Sequence, residues 1–185
     1  MSLSAQASLY KHLLEPLIVS EQASVWCANS TQLSLALQSC LRNHQRLYSF
    51  SQLDLGIVQA KPLRTEKTWS ETYKRQSRCP ADFAWLDLHA LPVPDSGVLF
   101  DIAFDRVLAE WGGTAQTIAD DRELLLFLPA VFKGLIEGLR SQALTGVYLK
   151  LTGIRIHPVD SRPGSFYLCG FQAIRRLAEE NTRRV

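Results

Sequence analysis

The 185-residue chain lacks the short motifs that announce a chemistry. Its four cysteines, Cys27, Cys40, Cys79 and Cys169, include no C-x-x-C pair, and no two histidines stand at zinc-finger spacing. A metal site is therefore not expected, and the cysteines read as reduced thiols, at least two of them in the core. No G-x-x-x-x-G-K-[ST] and no G-x-G-x-x-G occurs, which removes a glycine loop that would cradle nucleotide phosphates. The nucleophile elbow G-x-S-x-G and the H-E-x-x-H helix are missing as well. The longest apolar run, "LLLFLPAVF" over residues 124–132, is about half the ~18 residues that a membrane-spanning helix needs. The leading "MSLSAQASLYKHLLEP" has neither a basic start nor a long apolar segment, so no signal peptide is expected. There is no internal repeat and no low-complexity segment. These absences together point to a cytoplasmic protein with no membrane partner, no cofactor and no GTP site. Charge of one sign is also scarce. The formal net charge is +2 and the pI is about 8.4, below the ~9 of a committed nucleic-acid binder. Any RNA contact must come from local clustering of cations.

What is present is an ordinary globular composition, 46% apolar and 21% charged, with enough chain for one or two small domains. "LIVS" and "ASVWCAN" (17–29) read as short strands, and "STQLSLALQSCLRNHQ" as an amphipathic helix capped by Ser30 or Thr31. "LYSFSQL" (47–53) and "LGIVQA" (55–60) read as strands. The charged stretch near 60–78 reads as a domain boundary or a hairpin. In "DFAWLDLHAL" (82–91), Ala84, Leu86 and Leu88 alternate with Phe83, Trp85 and Asp87, which predicts a strand with both faces partly covered. "VLFDIAF" is the next strand, and "DRVLAEWGGTAQTIADD" reads as irregular with a Gly-Gly break. Leu124, Leu128, Val131, Leu135 and Leu139 form one helical stripe. Pro129 suits a first turn, which puts the regular helix start near Leu128. Gly134 and Gly138 on this helix predict close backbone approach, most simply to a sheet. "GVYLKL" (146–151) alternates Val147, Leu149 and Leu151 inward. Gly153 interrupts that alternation, which resumes at Ile154 and Ile156. A last helix over roughly 165–180 carries Phe166, Cys169, Ala173 and Leu177 on one face. Strands outnumber helices and do not alternate strictly with them, so the expected class is α+β, with helices on one face of a mixed sheet.

The stretch with the densest chemistry is "RIHPVDSRPGSF", Arg155 to Phe166. Ser161, His157 and Asp160 have the residue types of a hydrolytic triad. All three sit within one tight turn, however, where nucleophile, base and orienter rarely line up. No catalytic residue is assigned. A purely structural reading has Pro158 stiffening the strand exit, Asp160 or Ser161 capping the helix, and Phe166 anchoring it. Charge suggests more: Arg155, His157 and Arg162 crowd one strand-end loop, and Lys74, Arg75 and Arg78 crowd another. Were the two loops at one end of the sheet, they would form a basic tip able to contact phosphates. Tyr73 and Tyr167 are the aromatics near enough to stack on bases.

The run "FLPAVFKGLIEGLRSQALTGVYLKLTGIRIHPVDSRPGSFYLCGFQAI" resembles domain IV of the translation elongation factor G family. That family carries a helix of the form I-P-A-V-x-K-G-I, then a linker and a strand, then a tip turn H-x-V-D-S before its last helix. Here "LPAVFKGLIEGL" spans Leu128 to Leu139 and "HPVDS" spans His157 to Ser161, in the same order and at fitting distance. "KRQS" is similar to the K-Q-S before the family's first tip loop. "STQLSLALQSCLRNHQRLYSF" looks like the end of domain III. The chain departs from the family in having "RCPADF" where a glycine-rich tip loop belongs, and Ile154 where the second tip has Gly.

The resemblance implies two parts: residues 1–53 as a partial, ferredoxin-like domain III segment, and residues 54–185 as a domain IV-like unit. It implies the ribosomal-protein-S-five-like α+β fold, with a left-handed β-α-β crossover. It also implies a non-enzymatic, GTPase-less relative that binds the ribosome or structured RNA through Lys74, Arg75, Arg78, Arg155, His157, Ser161 and Arg162. The alternative is a protein–protein module that docks on a protein partner, or on a second copy of itself, through residues 1–53. Leu13, Leu14, Leu17 and Val25 would then be its apolar patch.

Overall fold

The computed structural model of the chain describes residues 18–19, 47–50, 55–76, 81–94, 97–102, 108–111, 114–117 and 121–183. The strand expected at "ASVWCAN", the helix over 30–45, the apolar patch of the alternative reading, and Cys27, Cys40, Arg78 and Cys79 lie outside the described residues. In chain order the strands are β1 (Ile18–Val19), β2 (Leu47–Phe50), β3 (Lys61–Pro62), β4 (Lys67–Arg75) and β5 (Asp82–Pro92). They continue with β6 (Val98–Ile102), β7 (Leu108–Trp111) and β8 (Thr114–Thr117). Helix α1 (Asp121–Gln142), β9 (Leu144–Thr145), β10 (Val147–Arg155) and helix α2 (Pro163–Arg183) complete the set.

Among the described residues, six strands form a mixed sheet in the order β1-β2-β6-β10-β5-β4. β10 runs parallel to β6 and antiparallel to β5, and β4 pairs antiparallel with β5. β2, from the segment assigned to a separate unit, pairs antiparallel with β6. The fold is α+β, as the sequence pattern requires.

Alternation builds the core. Ala84, Leu86, Leu88 and Ala90 of β5 are fully buried on the helix side, as are Val147 and Leu149 of β10. The register of β10 slips between Leu151 and Gly153. This β-bulge restores the inward phase, so that Ile154 and Ile156 return to the core. An added Cβ at Gly153 would lie 2.6 Å from Asp87 Oδ2, so a side chain there would displace the Asp87 carboxylate. Phe166, Cys169, Ala173 and Leu177 of α2 close the core with Leu128, Val131, Leu135 and Leu139 of α1. Each fully buried Leu, Val or Phe contributes roughly 1.5–3 kcal/mol.

Four local expectations need correction, and one stretch with two open readings takes one of them. Residues 55–60 form no strand: Gly56 has φ +65°, and Leu55 and Ile57 are buried while Val58 is exposed. Hydrophobic residues packed one by one around a left-handed glycine imitate a strand in sequence. Residues 108–117 are not irregular, since Leu108–Trp111 and Thr114–Thr117 pair antiparallel on either side of the Gly-Gly pair. Of the two readings of the charged stretch near 60–78, the hairpin holds over Lys67–Arg75, which pairs with β5 from Lys67↔Ala90 to Arg75↔Asp82. Helix α1 starts at Asp121, with Pro129 inside it. The missing hydrogen bond at Pro129 costs about 3 kcal/mol, and burial of Phe127 and Leu128 on its N-terminal side offsets it. Finally, the α1 glycines face α2 and not the sheet. An added Cβ would lie 2.1 Å from Tyr167 O at Gly134, and 2.8 Å from Ile174 Cβ at Gly138. From the other side, Gly170 of α2 lies against Val131 O.

Candidate nucleic-acid interface

The β4–β5 hairpin and β10 both end at one edge of the sheet, and hydrogen bonds join them there. Beyond Arg155 the chain leaves β10, turns at 157–161 and enters α2. The Phe83 N–H donates to Asp160 O (3.0 Å), and the Ser161 hydroxyl donates to Phe83 O (3.1 Å). A parallel bridge links Phe83 to Ser161, and Phe83 lies opposite Lys74 in the β4–β5 ladder. The segments that carry Lys74, Arg75, Arg155, His157, Ser161 and Arg162 are thus neighbours. Lys74, Arg75 and Arg162 are exposed, while Arg155, His157 and Ser161 are half-buried. Arg78 lies outside the described residues.

The turn uses its polar groups on itself. Ser161 Oγ accepts the His157 N–H (2.8 Å), and the Ser161 N–H donates to His157 O (3.0 Å). His157 Nδ1 accepts two backbone N–H groups, from Asp160 (3.0 Å) and Val159 (3.2 Å). An acceptor at Nδ1 puts the proton of the neutral ring on Nε2. Asp160 Oδ2 also lies 3.5 Å from the same nitrogen. Ser161 does not bond the His157 ring, so these three residues form no relay. The capping expectation also fails. The Arg162 carbonyl accepts the Ser165 and Phe166 N–H groups, and Pro163 opens α2. Ser161 is already committed to Phe83 and His157, and proline at the first position leaves one fewer N–H to cap.

Two aromatic side chains that the sequence reading passed over stand among these cations. The Arg155 guanidinium lies over Trp85, 4.2 Å from the ring centroid. Lys74 Nζ lies 5.6 Å from the Phe83 ring centre, and the Phe83 and His157 rings meet edge-on at 6.2 Å. The Trp85 indole N–H donates to Asp87 Oδ1 (2.9 Å), which also accepts the Ser70 hydroxyl. The expected stackers are engaged elsewhere. Tyr73 packs against the core, and the Tyr167 hydroxyl bonds Glu137 on α1. The usable signal was the alternation of β5, which puts Phe83 and Trp85 opposite the buried Ala84 and Leu86.

The other end of the sheet is different in character. Clefts of about 320 and 420 Å³ open there, the first between Lys67, Leu177 and Glu180, the second beside Lys61 and Arg64. Lys67 pairs with Glu180, which also meets Arg176 Nε at 3.4 Å; Arg176 Nη1 lies 3.7 Å from Glu71. The Lys67 hydrogen bond holds the Glu180 carboxyl below the usual carboxylate range. Burial pushes the Glu71 carboxyl up, against the opposing pull of Arg176 and Lys67. Charges of both signs alternate along this chain, so it offers no single-sign field.

Among the described residues no helix is long and apolar enough to cross a membrane, and no cluster of three or more metal-ligating side chains occurs. No family model and no curated protein matches the chain. Among solved structures it is similar to a crystal structure from Thermus thermophilus, with 16% identity and a TM-score of 0.48. The match covers 64% of this chain and 16% of the Thermus chain, so the chain spans about a sixth of that protein's length.

Proposed function

We propose that the protein binds the ribosome or a structured RNA through the tip formed by residues 74–76 and 155–162, as a relative of elongation factor G domain IV. The observation that carries this reading is the pairing of Phe83 with Asp160 and Ser161, which joins two basic segments at one sheet end. In the described tip Lys74, Arg75, Arg155 and Arg162 outnumber Asp82 and Asp160. Phosphate contacts by such cations supply most sequence-independent RNA affinity. The ribosomal-protein-S-five-like assignment draws support from the order β4, β5, β6, α1, β10, α2, with β7, β8 and β9 interposed, and from the parallel neighbours β6 and β10. On this reading the protein works in the cytoplasm and contributes contacts, not bond chemistry.

The test is ribosome co-sedimentation and RNA titration of Arg155→Ala/Arg162→Ala. Affinity should fall, and the slope of log K against log salt should shrink by about two phosphate contacts. Unchanged co-sedimentation with an unchanged slope removes the proposal.

A further inference from the structure

From the arrangement of rings and cations on β5 we infer that the face of β5 that carries the half-buried Phe83 and Trp85, opposite the two described helices, is a stacking shelf for the unpaired bases of a single nucleic-acid strand. The inference rests on the RNA reading above and names the form of ligand. Phe83 and Trp85 are two apart on β5, so both project to the face opposite the buried Ala84 and Leu86. Both described helices pack on that buried side. Successive same-face positions of a strand are about 7 Å apart, a pitch that gives each ring its own base. The Asp87 hydrogen bond to the indole N–H fixes the plane of Trp85. Each ring carries a cation from a neighbouring strand: Lys74 of β4 over Phe83, and Arg155 of β10 over Trp85. A nucleotide brings a flat π-face and a phosphate, and each ring–cation pair presents a partner for both. The bases of a duplex are stacked on one another and offer no free face. The shelf therefore selects single strands, loops and bulges.

The experiment uses the full chain and three labelled probes: an oligoadenylate RNA of about ten nucleotides, the same sequence as DNA, and an RNA duplex of equal length. Anisotropy reports binding and tryptophan emission reports stacking. Trp85→Leu keeps apolar bulk and removes the ring, and Phe83→Leu serves as the second variant should Trp85→Leu fold poorly. The expected result is single-strand binding with quenched emission. Trp85→Leu should weaken it about tenfold or more and remove the quench, with a smaller effect on duplex binding. Equal binding of RNA and DNA supports stacking alone, and preference for RNA supports stacking with an added 2′-hydroxyl contact. Equal affinity for single strand and duplex, unaffected by Trp85→Leu, overturns the shelf and leaves the basic tip standing. Binding of single strands without ribosome co-sedimentation supports the shelf and overturns the ribosome reading. No binding of any probe overturns the shelf.

Discussion

Gly134→Ala is the sharpest test of how the two helices hold the tip. A Cβ at position 134 would lie 2.1 Å from Tyr167 O and 2.9 Å from its carbonyl carbon, closer than real Cβ contacts come. The obstacle is the backbone of α2, which has no rotamer to change. The helices must therefore part by about 1 Å, which loosens the packing of the rows beside the crossing. Overpacking of this kind costs about 1–3 kcal/mol, and a rigid neighbour puts the cost at the upper end. The better helix propensity of alanine returns about 1 kcal/mol. The net loss is then about 2 kcal/mol, or a fall in Tm of about 4–8 °C for a chain of this size. Gly164→Ala is the control. Nothing lies within 4 Å of its Cβ position in the first turn of α2, so its Tm should hold or rise. Calorimetry or circular dichroism melts read both variants. A Gly134→Ala protein as stable as the parent would refute the close helix crossing.

Two further outcomes are expected. Ser161→Ala removes a hydroxyl that accepts from His157 N–H and donates to Phe83 O. It should cost about 1–3 kcal/mol and speed amide exchange at His157, and an unaltered exchange rate would count against the joined loops. Cys169 lies buried against Glu71 O and Ala84 O, and burial, reinforced by the Glu71 charge, raises its thiol from the ordinary 9.0 to about 12. The folded state holds the proton more tightly than the unfolded one. Cys169 therefore contributes nothing to pH dependence below about 9, and stability is lost as pH rises from there toward about 12, by up to about 4 kcal/mol. Denaturant melts of the parent and Cys169→Ala across that window should diverge in slope, and parallel curves would refute the burial argument.

The elements that were legible in the sequence are those whose period is set by a single neighbour. β5 and β10 alternate because one face meets two helices, and Gly153 marked the bulge because the phase of the apolar residues changes there. The stripe Phe166, Cys169, Ala173 and Leu177 gave α2 to within a turn at each end. What stayed hidden depends on which partner a residue meets. Gly134 and Gly138 announced close approach without naming α2. Gly56 in the left-handed region broke a run that looked like a strand, and nothing local says that Leu55 and Ile57 are buried separately. The cations of the tip were visible as clusters. Their adjacency was not, because it depends on Phe83 bonding a turn 78 residues downstream. Phe83 and Trp85 alternate as strand residues, and the cations over their rings, Lys74 and Arg155, come from other strands, which no local pattern announces.

The turn at 157–161 holds its own shape with its polar side chains. His157 Nδ1 gathers two backbone N–H groups, and the Ser161 hydroxyl ties the turn to β5. A turn fixed in this way leaves less chain to order when a partner arrives, and ordering is among the main costs of association. The residues it displays outward are Pro158, the apolar Val159 at the apex, and Arg162. Rigidity and display divide the motif between them: the polar side chains hold the frame, and the cations stand beside them. For a surface whose net charge is low, that division matters. On the proposed RNA reading, four cations held by a hydrogen-bonded turn and a paired hairpin would act on a phosphate together, where the same four on loose loops would each have to be ordered first.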